Sequence, residues 1–290
     1  METRSTSLPS ERRGIMLVLA AAMLWSTGGM AIKAVDAGPL VVSFYRSGIA
    51  AVVLFAVIRP RVQRWSGRFV LAALAYAACL TTFVVATKWT TAANAIFLQY
   101  LGVIWVMLLA PPILKEPMRA RDAVPVAVAL AGMLLFFLED FDARGMAGNV
   151  AAVFSSVFFA LLIVFLRAER DASPEAAVTW GNVLVALPLL PFVAGELRVD
   201  LRSLLVLAFL GTVQIGAAYI LFVRGLRHVT ATQASLTGMV EPIMNPVWVF
   251  LTLGERPSGF AMAGGAIVLV AVGARIFLSG PPRAPVQPPD

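Results

Sequence analysis

KWTTAANA, residues 88–95, and RHVTATQA, residues 227–234, stand 139 positions apart and share a basic first residue, a Thr-Ala step and a closing alanine. The same offset holds further on, where LKEP (114–117) aligns with LGERP (253–257) and sets Glu116 opposite Glu255. Upstream, an offset of 134 sets Gly14 opposite Gly148, Trp25 opposite Phe159 and Lys33 opposite Arg167. Chance likeness among apolar helices explains any single pairing, but not one offset held from Lys88 to Glu116. The chain therefore reads as two related units, 14–139 and 145–278, with a short segment 1–13 ahead and 279–290 behind.

Both units are too apolar for water. Of 290 residues, 60% are hydrophobic and 13% charged, and the mean hydropathy is +0.86. So few charges cannot cover so much apolar side chain, so the expected solvent is a lipid bilayer. Helical spans need roughly 17–25 apolar residues. Uncharged runs cover 14–32, 69–87, 89–114, 145–166, 176–195, 203–223 and 257–274. A shorter one covers 123–138, and two more, 40–58 and 228–254, are interrupted by Arg46 and Glu241. The expected fold is an all-α integral membrane protein of ten transmembrane helices, five in each half.

The first run follows Arg12-Arg13 and contains Ala20-Ala21-Ala22, as a signal peptide does. Its continuation past that point, and its mid-chain counterpart, favour a span instead. The proline-rich stretch 279–290 reads as a disordered tail. With the N-terminus cytoplasmic, sixteen Lys and Arg fall on that side and six on the other. The positive-inside bias then places both termini in the cytoplasm, in a bacterial inner membrane.

The net charge of +7 is scattered between apolar runs, not clustered with aromatics, so nucleic acid is not an expected partner. Cys79 is the one cysteine and His228 the one histidine, which leaves no internal disulfide and no metal-ligand pattern. No cofactor is expected, and Cys79 reads as a small packing residue.

An odd number of spans per half inverts the second half relative to the first, an arrangement of secondary carriers whose site lies at the midplane between the repeats. Ten spans, two five-helix halves, Trp25, FYR (44–46) and LGE (253–255) resemble the drug/metabolite transporter superfamily, EamA-type branch. The likeness spans about residues 14–278. The aromatic-rich interior is most similar to YddG-type exporters of aromatic amino acids. That resemblance implies a monomeric carrier exporting aromatic or other neutral amino acids. One departure stands out: Gly102-Val103 occupies the place of Glu241-Pro242, so the halves hold no symmetric pair of acids.

SLTGMVEPIMNPVW (235–248) holds the clearest candidate site. A carboxylate at mid-membrane costs about 2.5–3.5 kcal/mol even on the lenient insertion scale, so Glu241 must face protein or water. Pro242 removes the donor to the Gly238 carbonyl, and Pro246 the donor to the Pro242 carbonyl, leaving a helix break beside Glu241 and Asn245. One reading is a polar wall that binds a substrate ammonium or a proton. The other is a structural kink with Glu241 neutral or paired to Arg46, itself taken as a counter-ion or snorkelling side chain. In QYLGVIW (99–105), Gln99, Tyr100 and Trp105 suit an aromatic substrate, or else fill helix contacts or an interfacial belt. Trp25, Tyr76, Trp180, Asn182 and Gln214 could complete the pocket, or pack and hydrogen-bond between helices.

No nucleotide loop, zinc motif or acidic pair supports an intramembrane enzyme or ATP-driven transport. Nucleotide sugars or phosphorylated metabolites remain alternative cargo, though only Arg46 offers a mid-span cation.

Overall fold

The computed structural model describes residues 10–116, 120–140, 145–253 and 259–277. The tail 279–290, most of segment 1–13, Glu255 and the side chains of Asn245 and Pro246 lie outside the described residues. All regular structure within them is helical and forms ten segments. Seven of these, Ser10–Ala34, Pro39–Ile58, Gly67–Trp89, Ala92–Leu114, Met146–Ala168, Pro174–Glu196 and Leu201–Leu226, are each long and apolar enough to cross a membrane. Segments five and ten, Ala120–Asp140 and Gly259–Phe277, hold shorter apolar cores, and segment nine comprises Ala231–Gly238 and Val240–Leu253. Large apolar side chains point outward around the bundle: Val52 is 70% exposed, Phe192 73% and Val270 67%. Such a surface is stable only against lipid.

Polar punctuation starts the helices. Ser66 accepts from the Phe69 amide, Asp200 from Ser203, and Pro39 and Pro174 open their segments where no amide hydrogen is required. Thr91 caps Ala92–Gln99 by accepting from the Asn94 amide, and Thr230 caps Ala231–Gly238 by accepting from that of Gln233. These two half-helices are related by the 139-residue offset, as are their ends at Tyr100 and Met239.

Packing repeats in the same way. Segment three packs on six as eight packs on one, four on six as nine on one, while two meets seven and five meets ten. Each set maps onto itself when the halves are exchanged. A side chain on Gly14 would meet His228 and Val229; one on Gly148 would meet Trp89 and Thr90. Those neighbours are again 139 apart, so one close helix approach is built twice.

Four segments are irregular. Segment one turns at Ser26-Thr27, whose hydroxyls donate back to the Met23 and Leu24 carbonyls. Segment four tightens at Tyr100-Leu101, where Leu101, Val103 and Ile104 amides bond three residues back instead of four. Segment nine breaks at Met239, and Leu210–Ala217 of segment eight is π-helical. Such backbone is tolerated at membrane depth only against protein or a polar cavity. The four irregularities come together around one.

Candidate functional site

The cavity lies between the halves and is lined by Trp25, Arg46, Cys79, Leu80, Phe83, Gln99, Phe159, Gln214, Ile215, Tyr219 and Glu241. Its internal volume is about 30 Å³, room for about one or two waters. Arg46 is about 10 Å along its helix from Pro39, and Glu241 about 15 Å along segment nine from Thr230, so both are deep within a bilayer about 30 Å thick. They are 3% and 6% exposed.

The charges have separate partners. Arg46 donates through Nη2 to Gln214 Oε1 at 2.8 Å, and Gln214 in turn donates to the Trp25 carbonyl, freed at the break in segment one, at 3.3 Å. A side chain on Gly28 would strike the Gln214 amide, so this glycine lets the π-helical turn close onto the break. Arg46 Nε and Nη1 and Trp25 Nε1 are buried without a hydrogen-bond partner. Tyr100 Oη lies 2.7 Å from Glu241 Oε2 and donates to the Gly238 carbonyl at 2.6 Å. That carbonyl is the one Pro242 deprives of its helical donor, and a tyrosine from the other half replaces it. Among the described residues, no ion pair joins Arg46 to Glu241.

Aromatic rings support the lining. Trp25 packs on Tyr219 and Phe222 at 4.8 and 4.9 Å, Tyr76 on Tyr219 at 4.7 Å, and Phe159 on Tyr100 at 5.7 Å. Gln99 donates to Ser155 Oγ at 2.8 Å, and Ser155 donates to the Cys79 carbonyl.

Of the sequence-derived candidates, Trp25, Gln99, Gln214 and Glu241 line the cavity. Tyr100 and Tyr76 are fully buried behind it, the first holding Glu241 and the second bracing Tyr219. Asn182 is committed to Tyr76 Oη at 2.8 Å and the Val178 carbonyl, so it buttresses the wall from outside. Trp180 lies elsewhere, against Phe55 and the rim residue Trp65. Trp105 is 39% exposed on the outer face of segment four, because its place one turn past the Tyr100 break turns it from the interior. The break near Pro242 falls at Met239, with Pro242 in the first turn of Val240–Leu253, where a missing amide hydrogen costs little. Pro246 falls within that helix, whose backbone continues through it.

Sequence reasoning left out Leu80, Phe83, Phe159, Ile215 and Tyr219, and kept Arg46 and Cys79 outside the binding set. The repeat held the missing signal. Phe159 is the counterpart of Trp25 at 134, and Tyr219 that of Leu80 at 139.

Side-chain contacts tie helix ends together at both rims. On the N-terminal side, Arg167 bonds Glu116 at 2.8 Å and the Leu226 carbonyl at 2.6 Å, while Glu116 accepts from the Ala231 amide at 3.0 Å. Arg227 pairs with Glu175 at 2.9 Å, and Gln233 donates to Glu11. On the far side, Lys33 donates to the Thr90 carbonyl and Lys88 to that of Val35, both at 2.6 Å. Lys33 and Arg167, paired by the repeat, thus each fasten one rim.

Comparison with known proteins agrees with this arrangement. The EamA-like transporter family matches residues 12–138 and again 146–276, once per half. The uncharacterized transporter YwfM of Bacillus subtilis is 27% identical over 92% of this chain and 94% of its own. An uncharacterized transporter of Archaeoglobus fulgidus is 24% identical over 88% and 95% respectively. A WAT1-related chloroplastic protein of Arabidopsis thaliana is 26% identical over 93% of this chain and 72% of its own. A solved crystal structure superposes with a TM-score of 0.78 over 91% of this chain and 96% of that one, at 16% identity, a likeness of fold. Two family matches, ten helical segments and a buried polar cavity between the halves lead to one assignment: the chain is a membrane transporter of the EamA-like family.

Proposed function

We propose that the protein is a secondary carrier that exports small amphipathic metabolites, aromatic and other neutral amino acids foremost, across a bacterial cytoplasmic membrane by alternating access. The observation that carries this reading is the buried polar cavity: Arg46, Gln99, Gln214 and Glu241 line it at mid-depth, with helix ends tied together above and below. A cavity with room for about one or two waters cannot hold a metabolite in this conformation, so in this reading it widens toward one rim at a time. The paired fastenings of Lys33 and Arg167 offer two such openings, one per half.

In this reading all ten segments cross the membrane, five per half, so the second half is inverted, and the basic residues favour both termini in the cytoplasm. The rings of Trp25, Phe83, Phe159 and Tyr219 suit an aromatic or branched side chain, and the amides and charges suit its polar end. Phosphorylated cargo ranks lower because Arg46 is the only cation among the described lining residues.

The test is uptake of labelled tryptophan and phenylalanine into proteoliposomes, beside a wider metabolite panel. Saturable uptake above empty liposomes is the expected result. Folded protein that moves no compound of the panel refutes the carrier reading.

A further inference from the structure

The cavity has two chemically distinct poles. At one, Arg46 Nε and Nη1 and Trp25 Nε1 are buried N–H groups lacking an acceptor, beside an Nη2 already committed to Gln214. An unsatisfied buried donor costs about 1–3 kcal/mol, more when charged, so such a cluster is stable only if water or a ligand supplies acceptors. A carboxylate matches a guanidinium edge with two parallel hydrogen bonds. A phosphate matches it too, but brings about two charges to a lining whose described residues include one cation.

At the other pole, a single hydroxyl hydrogen faces two oxygens. Tyr100 Oη is 2.6 Å from the Gly238 carbonyl and 2.7 Å from Glu241. If Tyr100 donates to Gly238, whose helical donor Pro242 cannot supply, the contact with Glu241 is a hydrogen bond only when Glu241 carries a proton and donates it. If Glu241 is ionised, Tyr100 must turn to it and leave the carbonyl short. The geometry therefore suits a protonated Glu241 when the cavity is empty, and an ionised Glu241 when a cation arrives. Charged or titratable groups facing it are Tyr100 from segment four, Arg46 from two, Cys79 from three and Tyr219 from eight. Among the described residues none is a second carboxylate.

Resting on the carrier reading above, we propose that Arg46 and Trp25 hold the carboxylate of a zwitterionic substrate while Glu241 exchanges a proton for its ammonium group, making the carrier a substrate/proton antiporter. The charges balance: a neutral zwitterion on ionised Glu241 leaves the loaded site neutral, whereas the proton-loaded site carries the Arg46 charge alone. Each cycle moves one positive charge opposite to the substrate, so exchange responds to membrane potential as well as pH.

The test uses wild type, Glu241→Gln and Arg46→Lys in proteoliposomes, with the twenty common amino acids, phenylalanine methyl ester and N-acetylphenylalanine as probes. Protection of Cys79, the sole cysteine and a lining residue, from alkylation reads binding independently of transport. Expected results are protection and exchange by at least one neutral amino acid, about tenfold weaker for both phenylalanine derivatives than for phenylalanine when phenylalanine is that amino acid, and for the corresponding derivatives otherwise. An imposed proton gradient or potassium diffusion potential accelerates wild-type exchange and leaves Glu241→Gln unaffected, while Glu241→Gln still protects Cys79 when bound. Arg46→Lys weakens carboxylate-bearing probes only. Equal handling of the esters, or exchange blind to pH and potential, overturns the inference and leaves the carrier intact. Transport of other metabolites with no amino acid bound overturns it as well. Absence of any transport strikes the carrier reading itself.

Discussion

Replacing Tyr100 with phenylalanine removes one oxygen and tests the coupling between the halves. The ring is fully buried and packs on Phe159, so Phe preserves its volume. The lost hydroxyl serves both the Gly238 carbonyl and Glu241. Hydrogen bonds between membrane helices average about 0.6 kcal/mol because broken partners find others, with a maximum of about 1.7. Here the usual substitute is missing, since Pro242 has no amide hydrogen to offer Gly238. The loss should lie near the top of that range, about 1.5 kcal/mol, read as a shift in the unfolding midpoint in mixed detergent. Pro242→Ala restores an amide at the vacant position. It should recover about 1 kcal/mol when added to Tyr100→Phe, and little alone. Additivity within about 0.3 kcal/mol, or a Tyr100→Phe protein as stable as wild type, refutes the claim that the tyrosine replaces the helical donor.

Further expectations follow from the same contacts. Gly148→Ala should cost about 1–3 kcal/mol in thermal unfolding, because its new methyl meets Thr90 and Trp89 backbone at 2.6 and 2.7 Å. Gly14→Ala should cost a similar amount, since its new methyl meets His228 Cβ at 2.7 Å, Val229 Cγ1 at 2.8 Å and the Gly225 carbonyl at 3.1 Å; a cost near zero at either site would contradict this. Glu116→Gln loosens the N-terminal rim by about 1 kcal/mol and should raise the alkylation rate of Cys79 about fivefold, whereas an unchanged rate would show that this ion pair fastens nothing. Trp105→Leu, on the outer face, should change stability by less than about 0.5 kcal/mol and leave transport intact. The Ser203 amide and side chain hold the Asp200 carboxyl below the usual carboxylate range. Since its folded value is depressed, the cap is complete at neutral pH and is lost as pH falls through that value, below about 3.9. Hydrogen exchange at Ser203 should stay slow down to that pH and be fast throughout in Asp200→Ala.

Much of this was legible in the chain because lipid imposes a simple code. Eight uncharged runs and two broken by a single charge gave the ten segments, and the 139-residue offset aligned the Thr91 and Thr230 caps to the residue. The Pro242 argument identified the freed carbonyl by number, since a missing amide has one defined partner. What filled it was not legible: Tyr100 is 141 residues from Glu241, and only packing joins them. Trp105 misled for a related reason. In an all-apolar helix, hydrophobicity does not distinguish the inner face from the lipid face, and the turn at Tyr100-Leu101 resets the phase of the residues beyond it. Arg46 was weighed as a counter-ion because a mid-membrane cation implies an anion nearby; its bond to Gln214 depends on a π-helical turn that no sequence period announces.

Gly102 gives the duplication an asymmetry that cannot easily be reversed. It stands where the first half would hold its own version of Glu241, and a side chain there would come within 2.9 Å of the Ser156 carbonyl. The two halves match as scaffolding, but at this pair of positions only the second carries a side chain, the acid Glu241. Backbone packing therefore closes this one position to any side chain, and the departure from symmetry is fixed by a neighbouring carbonyl.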